Sequence, residues 1–386
     1  SIIQYYVDGF SREPSRRAFV PNILFFDPIN GLIPLLSRYN FTIEENSPKD
    51  VQVALDPELL GKVFENLLGA YNPETKETAR NQSGSFYTPR EIVDYMIDES
   101  LKAYLGGDSV INLLFTQEDI PDYFLNNPDI CERISRQLCS VKIFDPACGS
   151  GAFPMGALNR IVDLIERLDY NKTKDIGQIK LQLIEQCIYG SDIQTIAVQI
   201  SKLRFFISLI CHYERNDNDP TNNYGIPILP NLETKFVAAN SLISIKKRAG
   251  LGGLFDDPTG EIEKTKKELI KIRESHFSAN SSFSKLALRK QDKEVREKLA
   301  KLLSVNIYAA EDAQQMAEWD PYNQNKESNF FDPYWMYGIA DGFDIVIGNP
   351  PYIQLQNNNS KLGNLYAPCG YETFVRTGDI YCLFYE

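Results

Sequence analysis

The fold of this chain is decided by the segment SVKIFDPACGSG, residues 140–151. Its first half is typical of a short buried strand, its second half contains two glycines, and a helix is predicted from about Phe153 to Leu168. A strand, a glycine turn and a helix in this order open a doubly wound α/β unit. Asp145 precedes a turn that lacks the GxGxxG pattern, so it would repel a pyrophosphate but suits the ammonium of an amino-acid moiety. A purely structural turn is the alternative.

A second strand, predicted for residues 187–192, also ends on a carboxylate. Asp192 follows Asp145 by 192 − 145 = 47 residues, and a predicted helix at 176–186 accounts for the excess over the roughly 20 residues of a simple dinucleotide unit. A carboxylate at a strand end can accept two hydrogen bonds from a ribose diol. The alternative is that Asp192 caps the apolar helix predicted from Ile193 onward.

The last predicted strand, residues 343–347, leads through Gly348 into Asn-Pro-Pro-Tyr at 349–352, the NPPY loop. An amide, two prolines and an aromatic ring offer two acceptors for a planar amino group and a face on which it can stack. Transfer of a group to an exocyclic or amide nitrogen requires these features. A strand-ending turn is the alternative. A further strand, followed by its exit loop, is predicted at 236–242.

The rest of the chain is predicted to be mainly helical. Residues 1–84 are interpreted as an N-terminal helical domain, which includes a helix that begins after Asp56-Pro57. Thr88 is predicted to cap another helix, with Pro89 at its first position. Residues 85–386 form the α/β domain, and a Lys- and Glu-rich helical hairpin is inserted at about 246–335, with a break at 278–282. We interpret the charges of this hairpin as a solvated face.

Composition excludes several classes of protein. The net charge of −12 among 386 residues has the wrong sign for a surface that grips phosphates throughout, so any contact with nucleic acid must be local. Seven cysteines without a CxxC pair and only two histidines disfavour a disulfide framework, a metal site and a Ser-His-Asp relay. No stretch approaches the roughly 18 apolar residues of a membrane span and no signal region opens the chain, so a cytoplasmic protein without a membrane partner is predicted.

Five strings together carry a resemblance to a known family. They are GSFYTP at 84–89, FDPACGSGAF at 144–153, YGSDIQ at 189–194, AANSL at 238–242 and FDIVIGNPPY at 343–352. Their combination resembles the amino-methyltransferases that modify adenine N6 in DNA, in particular the large enzymes of type IIG and related restriction-modification or phage-defence systems. Their order is that of the γ class, which places a target-recognition domain C-terminal to this chain. The chain starts without Met and stops in an apolar run, so we expect a fragment of a longer protein.

The resemblance implies a Rossmann-like domain that uses S-adenosylmethionine and releases S-adenosylhomocysteine. Residues 86–89 would close over the methionine end of the cofactor, and Asp145 would bind its ammonium. Asp192 would hold the ribose hydroxyls, and Ile193 would pack on the adenine ring. Asn240, where many relatives have Asp, would hydrogen-bond that adenine, and an Asn that caps its own loop is the alternative. The implied cofactor-binding residues are Phe86, Tyr87, Thr88, Pro89, Asp145, Pro146, Ala147, Gly149, Gly151, Asp192, Ile193 and Asn240.

The resemblance also implies which residues bind the amino group that accepts the methyl group. The side-chain oxygen of Asn349 and the carbonyl oxygen of Pro350 would accept the two hydrogens of the amino group, and Tyr352 would stack on the base. The partner would be double-stranded DNA with the target base flipped out, together with a restriction or specificity partner or a fused domain. Three amino acceptors remain as alternatives: protein glutamine, RNA and cytosine N4. A cofactor-binding scaffold of a multi-subunit complex is a further alternative.

Overall fold

A computed structural model describes residues 2–6, 17–36, 88–245 and 260–386, apart from scattered positions between 211 and 228 and residues 118, 280 and 324. Its N-terminal part holds an antiparallel pair of strands, in which Ile2 lies opposite Pro21. The prediction of helical structure for residues 1–84 is therefore wrong for these two segments, which are rich in the β-branched and aromatic residues that favour strands. The helix predicted after Asp56-Pro57 lies outside the described residues. The elements here are β1 (Ile2–Tyr6), β2 (Arg17–Pro21), α1 (Ile23–Phe26) and α2 (Leu32–Leu36).

A four-stranded parallel sheet forms the centre of the molecule, and this confirms the predicted α/β class. Ile143 pairs with Ile188 on one side and with Ile345 on the other, which gives the strand order β5-β4-β3-β6. Because all four strands are parallel, their carboxyl ends meet at one edge of the sheet. The strands are β3 (Ile143–Asp145), β4 (Ile188–Asp192), β5 (Phe236–Ala238) and β6 (Ile345–Val346).

Helices cover both faces of this sheet, as the alternation of side chains along a strand requires. Ile143, Ile188 and Phe236 belong to one apolar core, which they share with the helices that precede β5. Those helices are α3 (Arg90–Tyr104), α4 (Ser109–Thr116), α5 (Asp122–Leu125), α6 (Pro128–Leu138), α7 (Ala152–Leu168), α8 (Ile176–Gln186) and α9 (Thr195–Ile210).

The opposite face packs on the helices that lie between β5 and β6 in the chain. Phe144 stacks on Phe331 with the ring centroids 5.1 Å apart, and Tyr189 and Val237 join the same core. The first two helices flank the break predicted at 278–282, and a salt bridge from Arg273 to the fully buried Asp292 joins them. They are α10 (Glu261–Phe277) and α11 (Ser282–Asn306), followed by α12 (Ala310–Glu318) and α13 (Pro333–Tyr337).

The C-terminal segment packs beside the NPPY loop. Leu355, Tyr366 and Ile380 form a small core with Leu242, which follows β5. The segment contains α14 (Asn357–Tyr366) and two short 3-10 helices, Ala367–Cys369 and Ile380–Tyr385. Across the part of the chain that the structure describes, every helix falls short of the length and apolar character needed to cross a membrane.

Candidate active site

The glycine turn, residues 146–151, and the NPPY loop leave the sheet side by side. β3 and β6 are neighbouring parallel strands, so the residues that follow them emerge at the same edge. Gly348 lies directly against the carboxylate of Asp145, and a Cβ atom placed on it would overlap the Asp145 Oδ1 atom. Only glycine permits this approach. The two motifs that are most distinctive in the sequence are therefore adjacent in space.

The glycine turn is held by hydrogen bonds from α9. The Ser201 hydroxyl donates to the Gly149 carbonyl oxygen at 2.9 Å, and Arg204 Nη1 donates to the Ser150 carbonyl oxygen at 2.9 Å. Gly151 has φ of 87°, in the left-handed region, and a Cβ atom there would lie 2.9 Å from Ser201 Oγ. Sequence reasoning missed Ser201 and Arg204, because nothing near them in the chain signals a contact with a turn about fifty residues away.

Asp145 is a buried carboxylate at the end of β3. Its side chain is 2% exposed, and its Oδ1 accepts a hydrogen bond from the Ala147 amide at 3.0 Å. Burial raises the pKa of Asp145 from 3.8 to about 8, and the nearby charge of Asp192 adds to the rise. No Lys, Arg or His among the described residues forms an ion pair with it. A bound ammonium would remove the main cost of ionising this group.

Asp192 links the ends of β3 and β4. Its Oδ2 accepts from the Gly149 amide at 2.9 Å and its Oδ1 from the Gln194 amide at 2.8 Å. The carboxylate thus fixes the glycine turn from the neighbouring strand. Ile193 is 54% exposed beside it, and α9 begins only at Thr195. An apolar side chain in this position is free to pack on a ligand.

Hydrogen bonds to Pro146 join the turn to the end of β5. The Ser241 hydroxyl donates to the Pro146 carbonyl oxygen at 2.7 Å and lies 2.6 Å from the Ser191 hydroxyl. Asn240, next to Ser241, is buried. Its Oδ1 accepts from the Leu242 amide at 3.2 Å, and its Nδ2 donates to the Tyr366 hydroxyl at 3.1 Å. These are the contacts of the loop-capping alternative, and a contact between Asn240 and a cofactor stays a prediction.

Asn349 is held at both ends of its amide. Its Nδ2 donates to Thr88 Oγ1 at 3.1 Å, and its Oδ1 accepts from the Tyr352 hydroxyl at 2.9 Å. The prediction that Thr88 caps α3 is wrong, because the helix begins at Arg90 with Pro89 at the cap position and without a side-chain cap bond. A residue that directly precedes proline is biased towards extended backbone, and the proline becomes the boundary. Phe86 and Tyr87 lie outside the described residues.

The rest of the NPPY loop presents an acceptor and a ring. The Pro350 carbonyl oxygen receives no hydrogen bond from the residues that the structure describes. The Tyr352 side chain is 52% exposed, and its ring lies 5.6 Å from that of Tyr381 between centroids. The chain after Tyr352 is anchored by Asp379, whose Oδ1 accepts from the Ile353 amide at 3.0 Å. Tyr352 is therefore an exposed aromatic face beside the Asn349 amide.

Comparison with known proteins places the chain among restriction-modification methylases. The model of the Eco57I restriction-modification methylase family matches residues 186–386, about half of the chain, which include the NPPY loop. The chain is 27% identical over 425 residues to a putative type II restriction enzyme and methyltransferase, RM.MjaORFECS2P, of Methanocaldococcus jannaschii, with 92% of this chain and 34% of that protein covered.

Two relatives from Escherichia coli are also similar. The adenine-specific methyltransferase BrxX of strain O9:H4 is 24% identical over 303 residues, which cover 72% of this chain and 23% of that protein. The type II restriction enzyme and methyltransferase RM.Eco57I is 26% identical over 170 residues, which cover 40% of this chain and 14% of that protein. The chain thus spans about a third or less of the length of these relatives. The resemblance inferred from the motifs is confirmed, and the chain belongs to the Eco57I restriction-modification methylase family.

Proposed function

We propose that this chain transfers a methyl group from S-adenosylmethionine to the N6 amino group of a flipped adenine in DNA, as part of a restriction-modification or phage-defence system. The observation that carries the proposal is the contact between Gly348 and Asp145, which brings a cofactor-type turn and an amino-acceptor loop to one edge of a parallel sheet. In this proposal the sheet and its helices are a Rossmann-like domain, with the hairpin at about 246–335 as an insertion.

The residues at the glycine turn fit this cofactor. Asp145 is a buried carboxylate in need of a cation, which the ammonium of S-adenosylmethionine provides. Gly149 and Gly151 have φ of 52° and 87°, the left-handed backbone that a tight turn at the end of β3 needs. Asp192 at the end of β4 can accept from the ribose hydroxyls. Ile193 offers an exposed apolar side chain for the adenine ring. S-adenosylmethionine, when bound, supplies an electrophilic methyl group on a sulfonium.

The NPPY loop can activate a weakly nucleophilic amino group. The lone pair of an adenine amino group is delocalised into the ring, so the nitrogen is a poor nucleophile. Asn349 Oδ1 and the Pro350 carbonyl oxygen accept its two hydrogens, which favours a pyramidal nitrogen and localises the lone pair. This is electrostatic preorganisation combined with positioning, and it needs no covalent intermediate.

The same loop must rearrange when the base enters. The Tyr352 hydroxyl donates a hydrogen bond to Asn349 Oδ1, and this bond has to break before that oxygen can accept a hydrogen bond from the base. Stacking of the Tyr352 ring on a flipped adenine gives this movement a driving force, since base–aromatic stacking contributes about 1–3 kcal/mol. The net charge of −12 leads us to expect weak duplex binding by this chain alone.

The names of the relatives favour adenine as the target, since BrxX and a PglX protein of Streptomyces coelicolor are both named adenine-specific methyltransferases. The test is to incubate the chain with methyl-labelled S-adenosylmethionine and DNA, RNA or protein in separate reactions. We expect label in N6-methyladenine from DNA, identified by mass spectrometry of the nucleosides, and its loss in Asn349→Ala. Label in RNA, glutamine or cytosine N4, or cofactor binding without any transfer, would overturn the proposal.

A further inference from the structure

Thr88 is connected to the NPPY loop rather than to the helix that follows it. Its hydroxyl accepts a hydrogen bond from Asn349 Nδ2 at 3.1 Å, across 261 positions of the chain. Both residues are half-buried, so water competes only in part for this bond. Pro89 occupies the cap position of α3, and the Thr88 hydroxyl has no capping role there.

The orientation of the Asn349 amide decides whether it can act. An amide carries an acceptor oxygen and a donor nitrogen at similar distances from Cβ, and a half-turn about χ2 exchanges them. With the oxygen towards the adenine amino group, the amide accepts one of its hydrogens. With the nitrogen there, two donors face each other and the lone pair is not localised.

Two contacts hold the productive orientation, and only one of them can persist during the reaction. The Tyr352 hydroxyl donates to Asn349 Oδ1, the atom that the base needs, so this bond is lost when the base arrives. Thr88 binds the nitrogen, on the side that the base leaves free. Among the described residues, Thr88 is then the remaining side-chain partner of Asn349.

We propose that Thr88 is a positioning residue, whose hydroxyl holds the Asn349 amide with its oxygen towards the methyl acceptor. This inference rests on the proposed function and assigns Thr88 a role different from the cofactor contact implied by the family resemblance. The Thr88 hydroxyl matters because its partner is an amide, whose oxygen and nitrogen differ. A carboxylate at position 349 has two equivalent oxygens, so Thr88 would be dispensable there.

The experiment measures single-turnover methyl transfer to DNA at saturating S-adenosylmethionine, together with the cofactor Kd by calorimetry. Thr88→Val removes the hydroxyl and keeps the shape, whereas Thr88→Ser keeps the hydroxyl and removes the methyl group. Thr116→Val, at the exposed end of α4, is the matched control. We expect Thr88→Val to lower the transfer rate about tenfold or more with the cofactor Kd changed less than twofold, and both Thr88→Ser and Thr116→Val to stay within about threefold of the wild type.

A double-mutant cycle provides the second readout. In an Asn349→Asp background, Thr88→Val is expected to change the rate less than twofold. The inference is overturned if Thr88→Val weakens cofactor binding but transfers at the normal rate when saturated, or if its effect is as large in the Asn349→Asp background as in the wild type. If Asn349→Asp is inactive, the transfer rate of Thr88→Ser and the cofactor Kd of Thr88→Val still test the inference. Normal transfer by Thr88→Val would contradict only this inference. A wild type that transfers no methyl group would contradict the proposed function as well.

Discussion

The two halves of the candidate site are stabilised in different ways. Asp145 is buried and the glycine turn is buried in part, and backbone amides and the α9 side chains Ser201 and Arg204 hold them. Asn349 in the NPPY loop is half-buried and is held by two side-chain hydroxyls, one of which belongs to an exposed tyrosine. Under the proposed function, a cofactor would therefore meet a preformed turn, whereas the methyl acceptor would replace a hydrogen bond within the NPPY loop.

The largest effect is expected where the two halves touch. In Gly348→Ala the new Cβ atom collides with the buried carboxylate of Asp145, so either the loop or the carboxylate must move. We expect transfer to fall more than 100-fold, cofactor binding to weaken more than tenfold, and the free energy of unfolding to drop by about 1–3 kcal/mol. Single-turnover assays, calorimetry and urea unfolding measure the three quantities.

Gly342→Ala is the matched control for this prediction. Gly342 has φ of 83°, and within the described part of the chain no atom lies within 4 Å of the place that a Cβ atom would take. Alanine there carries backbone strain of about 1 kcal/mol without a collision. Cofactor binding by this variant should stay within about twofold of the wild type. If Gly348→Ala binds the cofactor as well as Gly342→Ala does, the two halves are not in contact.

The next effect concerns the pH dependence of cofactor binding. The pKa of Asp145 is raised to about 8, so below pH 8 the ligand-free protein holds a proton there that the ammonium must displace. Affinity should therefore rise up to tenfold per pH unit between about pH 5 and 7.5, and proton release should be measurable by calorimetry in buffers of different ionisation enthalpy. Above about pH 8 the α-amino group of the cofactor loses its own proton, and the affinity falls again.

Asp145→Asn is the control for this dependence. The variant should bind S-adenosylmethionine more weakly near pH 7.5, and it should show neither the rise in affinity with pH nor the proton release. A wild-type affinity independent of pH between 5 and 7.5 would show that Asp145 does not receive the ammonium.

In the ligand-free wild type the raised pKa of Asp145 has a second consequence. The contribution of Asp145 to stability is fully present below about pH 4 and is lost as the pH rises through about 8.

The smallest effect belongs to the exposed tyrosine. Tyr352→Ala removes the ring and should weaken transfer to DNA about tenfold, in line with a stacking contribution of about 1–3 kcal/mol. Tyr352→Phe keeps the ring, loses only the hydroxyl that binds Asn349 Oδ1, and should stay within about threefold of the wild type. Steady-state and single-turnover assays with both variants separate the ring from the hydroxyl. Equal losses in both variants would mean that the ring does not stack on the base.

The local patterns of the sequence predicted more of the fold than of the site. The apolar runs around Ile143, Ile188, Phe236 and Ile345 are strands in the structure, and parallel pairing brings their carboxyl ends together. The strands β1 and β2 were missed, since segments of five residues carry too little periodicity to separate helix from strand.

The contacts within the site depend on tertiary packing. The approach of Gly348 to Asp145 requires β6 to lie beside β3, and the chain from 146 to 342 gives no sign of that order. The bond between Thr88 and Asn349 likewise joins segments that local patterns treat separately. Asn240 donates a hydrogen bond to Tyr366 across the fold, a contact that local patterns do not indicate, and its cofactor contact stays a prediction. Sequence patterns therefore indicated which residues belong to the candidate site, but the contacts between these residues depend on the packing of the fold.

Cofactor binding by Asn349→Ala, measured by calorimetry beside its single-turnover transfer to DNA, tests whether the two halves of the site act separately. If the glycine turn holds the methyl donor and the NPPY loop acts only on the acceptor, the variant should bind S-adenosylmethionine within about twofold of the wild type. Its transfer rate should fall about 100-fold or more, as expected when a preorganised hydrogen-bonding group is removed. Loss of cofactor binding in parallel with loss of transfer would contradict the division of the site into these two halves.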